Sequence, residues 1–118
     1  MSTDRSDLVK GTLDLLILAA IADEPMHGWG ITQRIEDRSR DVLSVNQGSL
    51  YPALARLTRR GWIRNEWGTT ENNRRARYYR LTAAGRRRLE DEKAHWQRTS
   101  QAVNWVVEWT PALEGGAS

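Results

Sequence analysis

Ser44-Val45-Asn46-Gln47-Gly48-Ser49-Leu50-Tyr51-Pro52-Ala53-Leu54-Ala55-Arg56-Leu57-Thr58-Arg59-Arg60-Gly61-Trp62-Ile63 reads as a short helix with one apolar face and one face shaped for close approach. At about 100° per residue, Leu50, Ala53, Leu54 and Leu57 fall together and face a core. The opposite side carries Gly48, Pro52, Ala55 and Arg59, edged by Gln47 and Tyr51 on one flank and by Ser49, Arg56 and Arg60 on the other. Small residues let a backbone approach a surface, while amide, hydroxyl and guanidinium groups reach base edges and phosphates. The layout suits the recognition helix of a winged helix-turn-helix, but a merely solvated amphipathic helix also carries arginines outside. Its start is open between Asn46 and Ser49. With Asn46 as N-cap, Pro52 lies inside and deletes one backbone hydrogen bond; with Ser49 as N-cap, Pro52 sits in the first turn. Gly61 supplies the stop.

Charge sharpens the choice. From Arg56 to Arg88 there are eleven arginines against Glu66 and Glu71, an excess of nine, while the rest of the chain holds seven Lys and Arg against thirteen Asp and Glu, a deficit of six. A basic block beside an acidic remainder is the footprint of a nucleic-acid binder, since such clustered charge repels itself until an anionic partner relieves it. The 118 residues allow one domain with a modest core. Cysteine is absent, which excludes disulfides and thiolate metal sites and fits a reducing compartment. Leu13 to Ala22, the longest mostly apolar stretch, is about half a membrane span, and no leader pattern opens the chain. A soluble, cytoplasmic protein without membrane association is expected.

Residues 1–7 are polar and expected to fray. A first helix runs from Leu8 or Lys10 to about Ala22, with Leu13, Leu16, Ile17, Ala20 and Ile21 inward; Leu15 and Leu18 broaden the stripe and suggest a second partner surface, such as one from another subunit. Asp23-Glu24-Pro25-Met26 breaks it. A second helix spans His27 to about Arg38, with Ile31 and Ile35 inward, and His27 serves capping or packing rather than metal binding, since His95 is the only other histidine. After Gly61 the period becomes two: Ile63, Asn65 and Trp67 alternate with Arg64 and Glu66, and Ala76 to Leu81 alternates again. Two strands around a polar loop make a hairpin, the wing, whose Arg74-Arg75 tip reaches a phosphate or a minor groove. Tyr79 and Leu81 face the core. Arg77 and Arg80 are balanced between DNA contact and plain surface charge.

Thr82 caps a long terminal helix from residue 83 to about 109, roughly 40 Å at 1.5 Å per residue. Leu89, Trp96 and Val103 repeat at seven, with Val106 three further on, an imperfect heptad stripe that calls for a partner helix. Pro111 and Gly115-Gly116 lead into a loose tail. Of six tryptophans, Trp96, Trp105 and Trp109 lie on this helix; such rings bury well at interfaces and also stack on flat apolar effectors. The architecture is therefore mainly α with a small β-hairpin: a winged helix-turn-helix over 8–81, a terminal dimerisation helix over 82–110, and flexible ends at 1–7 and 111–118.

Several runs together resemble the PadR family of bacterial transcriptional regulators: Lys10-Gly11-Thr12-Leu13, Met26-His27-Gly28-Trp29-Gly30-Ile31, Gly48-Ser49-Leu50-Tyr51-Pro52-Ala53-Leu54 with Arg56-Leu57, Gly61-Trp62-Ile63, and Tyr78-Tyr79-Arg80-Leu81-Thr82 with Gly85. They span about residues 8 to 90. Trp29 departs from the tyrosine commonly seen after His-Gly in that family. The resemblance implies a dimeric repressor whose recognition helices enter major grooves of a pseudo-palindromic operator. It implies DNA contacts by Gln47, Ser49, Tyr51 and Arg56 on the recognition helix, by Arg74 and Arg75 on the wing, and by Lys10 at a helix start. The single terminal helix is similar to the short-tailed branch, in which it packs on the partner's first helix; Leu13, Ile17, Leu89, Trp96, Val103 and Val106 would then form the dimer, and Trp96 is a candidate platform for a small aromatic effector. No catalytic set, metal site or cofactor is expected. The rival is a winged helix used as a protein-protein module, which needs no basic helix-and-wing half.

Overall fold

The computed structural model describes residues 12–112. Along them run α1 (Leu13–Ala20), β1 (Met26–His27), α2 (Gly28–Arg38), α3 (Gln47–Arg59), β2 (Ile63–Thr69), β3 (Arg75–Leu81) and α4 (Ala83–Glu108). Lys10, the frayed start at 1–7, the onset of the first helix at Leu8 or Lys10, and tail residues 113–118 lie outside the described residues. Where α1 is described it ends at Ala20, two residues earlier than its apolar pattern suggests, with Ile21 as C-cap.

Asn46 settles the start of α3. Its side-chain oxygen accepts from the Ser49 amide at 2.8 Å, which satisfies one of the orphan donors of the first turn. Pro52 therefore lies inside α3. It cannot donate to the Gly48 carbonyl, and that oxygen is left on the outward side. At the other end Gly61 adopts φ +76°. Its amide reaches the Thr58 carbonyl at 3.0 Å and the Trp62 amide reaches Leu57 at 3.1 Å, the paired bonds of a Schellman stop.

The inward residues close one core. Ile17, Leu18, Ile21, Ile31, Leu50, Leu54, Leu57 and Ile63 are fully buried, joined by Leu13, Ile35, Ala53, Tyr79 and Leu89. The second covering surface expected for α1 is supplied by the same chain: α4 packs on α1 with its N-terminal half. At that junction Gly85 is seated so closely that a Cβ would fall 1.8 Å from the Trp62 carbonyl oxygen. Thr82 tightens it further, accepting from the Gly85 amide at 3.0 Å and donating to the Gly61 carbonyl at 2.6 Å.

The sheet holds one strand more than the hairpin. β3 pairs with β2 from Ile63↔Leu81 to Thr69↔Arg75 and, on its other edge, with β1 through Met26↔Tyr79 and His27↔Tyr78, giving the order β1-β3-β2. Two residues are too few to show an alternation, so β1 left no period in the sequence.

Candidate nucleic-acid interface

Gln47, Gly48, Tyr51, Pro52, Ala55 and Arg59 are exposed along the outward side of α3, with Ser49 and Arg56 half-buried on its flank. Two of these polar groups also hold the fold. Gln47 Nε2 donates to the buried Thr32 hydroxyl at 3.0 Å, which fixes the first turn of α3 against α2. Arg56 pairs with Asp14 on α1 at 2.5 Å, so part of its charge is matched within the chain. Tyr51 leans across the start of α2, where its hydroxyl lies 2.6 Å from the position a Cβ on Gly28 would take. His27 caps α2: Nδ1 accepts from the Gly30 amide at 3.0 Å, and the ring meets Tyr78 edge-on at 5.3 Å. The capping role read for this histidine is the one it plays.

Pleating sorts the wing into two faces. Ile63, Asn65, Trp67 and Thr69 share one face with Leu81, Tyr79, Arg77 and Arg75; near the core this face is apolar, and beyond it the face turns aromatic and cationic. Both the Arg75 and Arg77 guanidinium carbons stand 4.6 Å from the centre of the Trp67 ring, which is 53% exposed. Arg77 also donates to Asn65 Oδ1 at 2.7 Å. On the opposite face Arg80 pairs with Glu66 at 3.3 Å, which makes Arg80 a strand-bracing residue. Arg74 is exposed in the turn, where Asn73 adopts φ +62°.

Between the inner face of the wing, the first turns of α2 and Tyr51 lies a cleft of about 970 Å³, lined among others by Trp29, Tyr51, Trp67, Arg74, Arg75 and Arg77. The fold thus brings together three expected contacts, Tyr51, Arg74 and Arg75. Trp67 and Arg77 complete the group; the sequence signal for them was their alternation on paired strands, but nothing in it showed that the two strands align ring and guanidinium. At the floor, burial pushes the Tyr79 phenol above its ordinary value, the neighbouring Tyr51 adds to that, and Arg77 opposes it. Among the described residues no group of three or more His, Asp or Glu is placed to hold a metal ion, and no helix is long and apolar enough to cross a membrane.

The residues expected at a dimer contact divide. Leu13, Ile17 and Leu89 are 3%, 0% and 4% exposed, so their surface is consumed by the chain's own core and none is left for a partner. Trp96, Val103 and Val106 are exposed, and so are Trp105, Val107 and Trp109. Val107 lies four residues after Val103 and shares its side of α4, a position the heptad count passed over.

The family model for the PadR-like transcriptional regulators matches residues 17–91, which hold α2, α3, the wing and the first turns of α4. A transcriptional regulator of Mycobacterium tuberculosis is 33% identical over 94 residues, covering 80% of this chain and 84% of that protein. Among solved structures, a transcriptional regulator from Clostridium thermocellum superposes with a TM-score of 0.78 at 28% identity, covering 87% of this chain and all of the other. A PadR-like transcriptional regulator from Bacillus cereus superposes with 0.75 at 26% identity, covering 89% and 100%.

Proposed function

The chain belongs to the PadR-like family of transcriptional regulators, and from that premise we propose that it is a repressor acting as a homodimer on a pseudo-palindromic duplex operator. One observation carries this reading: Tyr51, on the exposed side of α3, and the arginine-bearing face of the wing line the same cleft. A groove-entering helix and a backbone-gripping hairpin are thereby set side by side. Arginine contacts to phosphate supply affinity through counterion release, and the short polar groups at the start of α3 supply discrimination. Among them Ser49 and Tyr51 are the unencumbered candidates, while Gln47 and Arg56 would have to share their present partners with the DNA. Lys10 is proposed as a further phosphate contact on the strength of the family pattern alone.

The second half of the reading rests on α4. Trp96, Val103, Val106 and Val107 form a bare apolar stripe on its outer half, and a second copy of the same helix is the partner proposed to cover it. A small aromatic effector inserted beside Trp96 would then sit at the interface and alter the spacing of the two recognition helices. Titration of tryptophan emission with a panel of aromatic compounds tests this; unchanged emission throughout removes the effector.

The duplex proposal is tested by binding the protein to fragments of its own genome while salt is varied. Arg74→Ala together with Arg75→Ala should weaken binding to every fragment and lower the salt slope by about one per arginine. Ser49→Ala should instead relax preference at particular positions. Failure of the wild-type protein to bind any fragment at moderate ionic strength would leave the protein-module rival.

A further inference from the structure

We infer that Trp67 is a positioning residue of the wing, whose indole holds Arg75 and Arg77 aimed outward and still fully charged for a polyanionic duplex. The inference rests on the duplex-binding reading above. Its ground is a contrast among the arginines. Arg34, Arg38, Arg56 and Arg80 each sit against a carboxylate, which orients the guanidinium and offsets part of its charge, and Arg88 has both the Glu92 carboxylate and the Trp62 ring, which Arg60 shares at 5.2 Å. Arg75 and Arg77 are oriented by an aromatic ring instead, each 4.6 Å from its centre. A ring face attracts the cation through its quadrupole and leaves net charge and N–H edge free for phosphate oxygens.

Geometry favours this use of the ring. Trp67 stands directly across from Arg77 in the antiparallel register, and Arg75 is the next residue of β3 on the same face. The two guanidinium carbons are thus no further apart than twice their distance to the ring. Like charges so close repel, and the attraction of each to the same ring offsets part of that repulsion. Arg77 is steadied again by a neutral partner, the Asn65 amide oxygen at 2.7 Å. The whole group faces the cleft bordered by Tyr51 rather than the back of the wing. Arginines already ordered before encounter lose less rotamer freedom on binding, which raises affinity without adding a contact.

A double-mutant cycle on the full chain reads this out. Trp67→Leu should weaken duplex binding about tenfold at fixed salt and leave the salt slope unchanged, because the phosphate contacts persist once made; Trp67→Phe should restore most of the loss. In a background of Arg75→Ala and Arg77→Ala, Trp67→Leu should cost nothing further. Full affinity of Trp67→Leu, or an equal loss in both backgrounds, overturns the inference and leaves duplex binding intact. Absence of duplex binding by the wild-type protein overturns both. Should the Leu variant melt early, side-chain relaxation of the arginine Nε–H groups in the free wild-type protein decides: Arg75 and Arg77 are expected to be more restricted than Arg74, and equal mobility would count against the indole.

Discussion

The winged body and the outer half of α4 are both rich in apolar side chains and put them to opposite use. In the body, Ile17, Leu18, Ile31, Leu50, Leu54, Leu57 and Ile63 are sealed from water; from Lys93 to Ala112 every residue except Ser100 is exposed, including three tryptophans. At about 100° per residue Trp105 and Trp109 lie on the side of the helix away from Val103 and Val107, so bare apolar side chains stand on two sides, parted by a polar flank of Lys93, Gln97, Gln101, Asn104 and Glu108. An isolated helix of that length is marginal in water, because its stability comes from packing. The body closes over its own apolar side chains, whereas the outer half of α4 leaves its own bare.

The sharpest test of that contrast sets a sealed residue against a bare one. Leu57→Ala removes a side chain with no exposed surface and should destabilise the domain by about 2–5 kcal/mol in thermal or denaturant melts. Val107→Ala, read at high dilution, should shift the same melt by no more than about 0.5 kcal/mol. Equal costs would mean that the two regions are not different in kind.

Self-association supplies the next test. Val103→Asp with Val106→Asp should lower the mass measured by sedimentation to that of a single chain and make the melting temperature independent of concentration, since stability tied to assembly follows mass action. The winged body should melt as before. An unchanged mass would place the interface elsewhere.

Most of the body was legible because its elements announce themselves by period. Leu50, Ala53, Leu54 and Leu57 repeat as a helix and are all buried, and the strands around the wing alternate as they pair. What the sequence did not carry were relations between elements. Whether Leu13, Ile17 and Leu89 belong to a core or to an interface depends on how α4 lies on α1, and a stripe looks the same in either case. The choice between Asn46 and Ser49 as cap turned on whether α3 tolerates Pro52, which depends on its surroundings. In the candidate site, Tyr51, Arg74 and Arg75 could be named as candidates by type and place, but the Trp67 stack requires a register, and the internal partners of Gln47 and Arg56 require the helix-turn-helix angle.

The two capped ends separate the regions on a finer scale. Asn46→Ala removes one side-chain acceptor at the head of α3 and should cost about 1 kcal/mol. Thr82→Ala removes both the acceptor for Gly85 and the donor to Gly61, at the seam where α4 leaves the body, and should cost more, nearer about 2 kcal/mol. Chemical melts of the two variants compare them directly; an equal or smaller cost at Thr82 would mean that the seam is held by the Gly85 contact and the Thr82 amide bond to the Trp62 carbonyl rather than by the hydroxyl.

The smallest effect expected is a titration, and it belongs to the body alone. Burial holds the Tyr79 phenol above its ordinary value of 10.0, helped by Tyr51 and opposed by Arg77. In the unfolded chain this phenol ionises near its ordinary value, whereas in the folded chain it keeps its proton to higher pH. The stability it contributes is therefore fully present below about pH 10 and is lost as pH rises through the folded value. Tyr79→Phe fills almost the same space without an ionisable group, so the two proteins should melt alike at pH 7, and above pH 10 the wild type should lose stability more steeply. Parallel decline of both proteins would show that the phenol ionises as readily inside the fold as outside it, and that the floor of the cleft is wetter than the packing around Tyr79 implies.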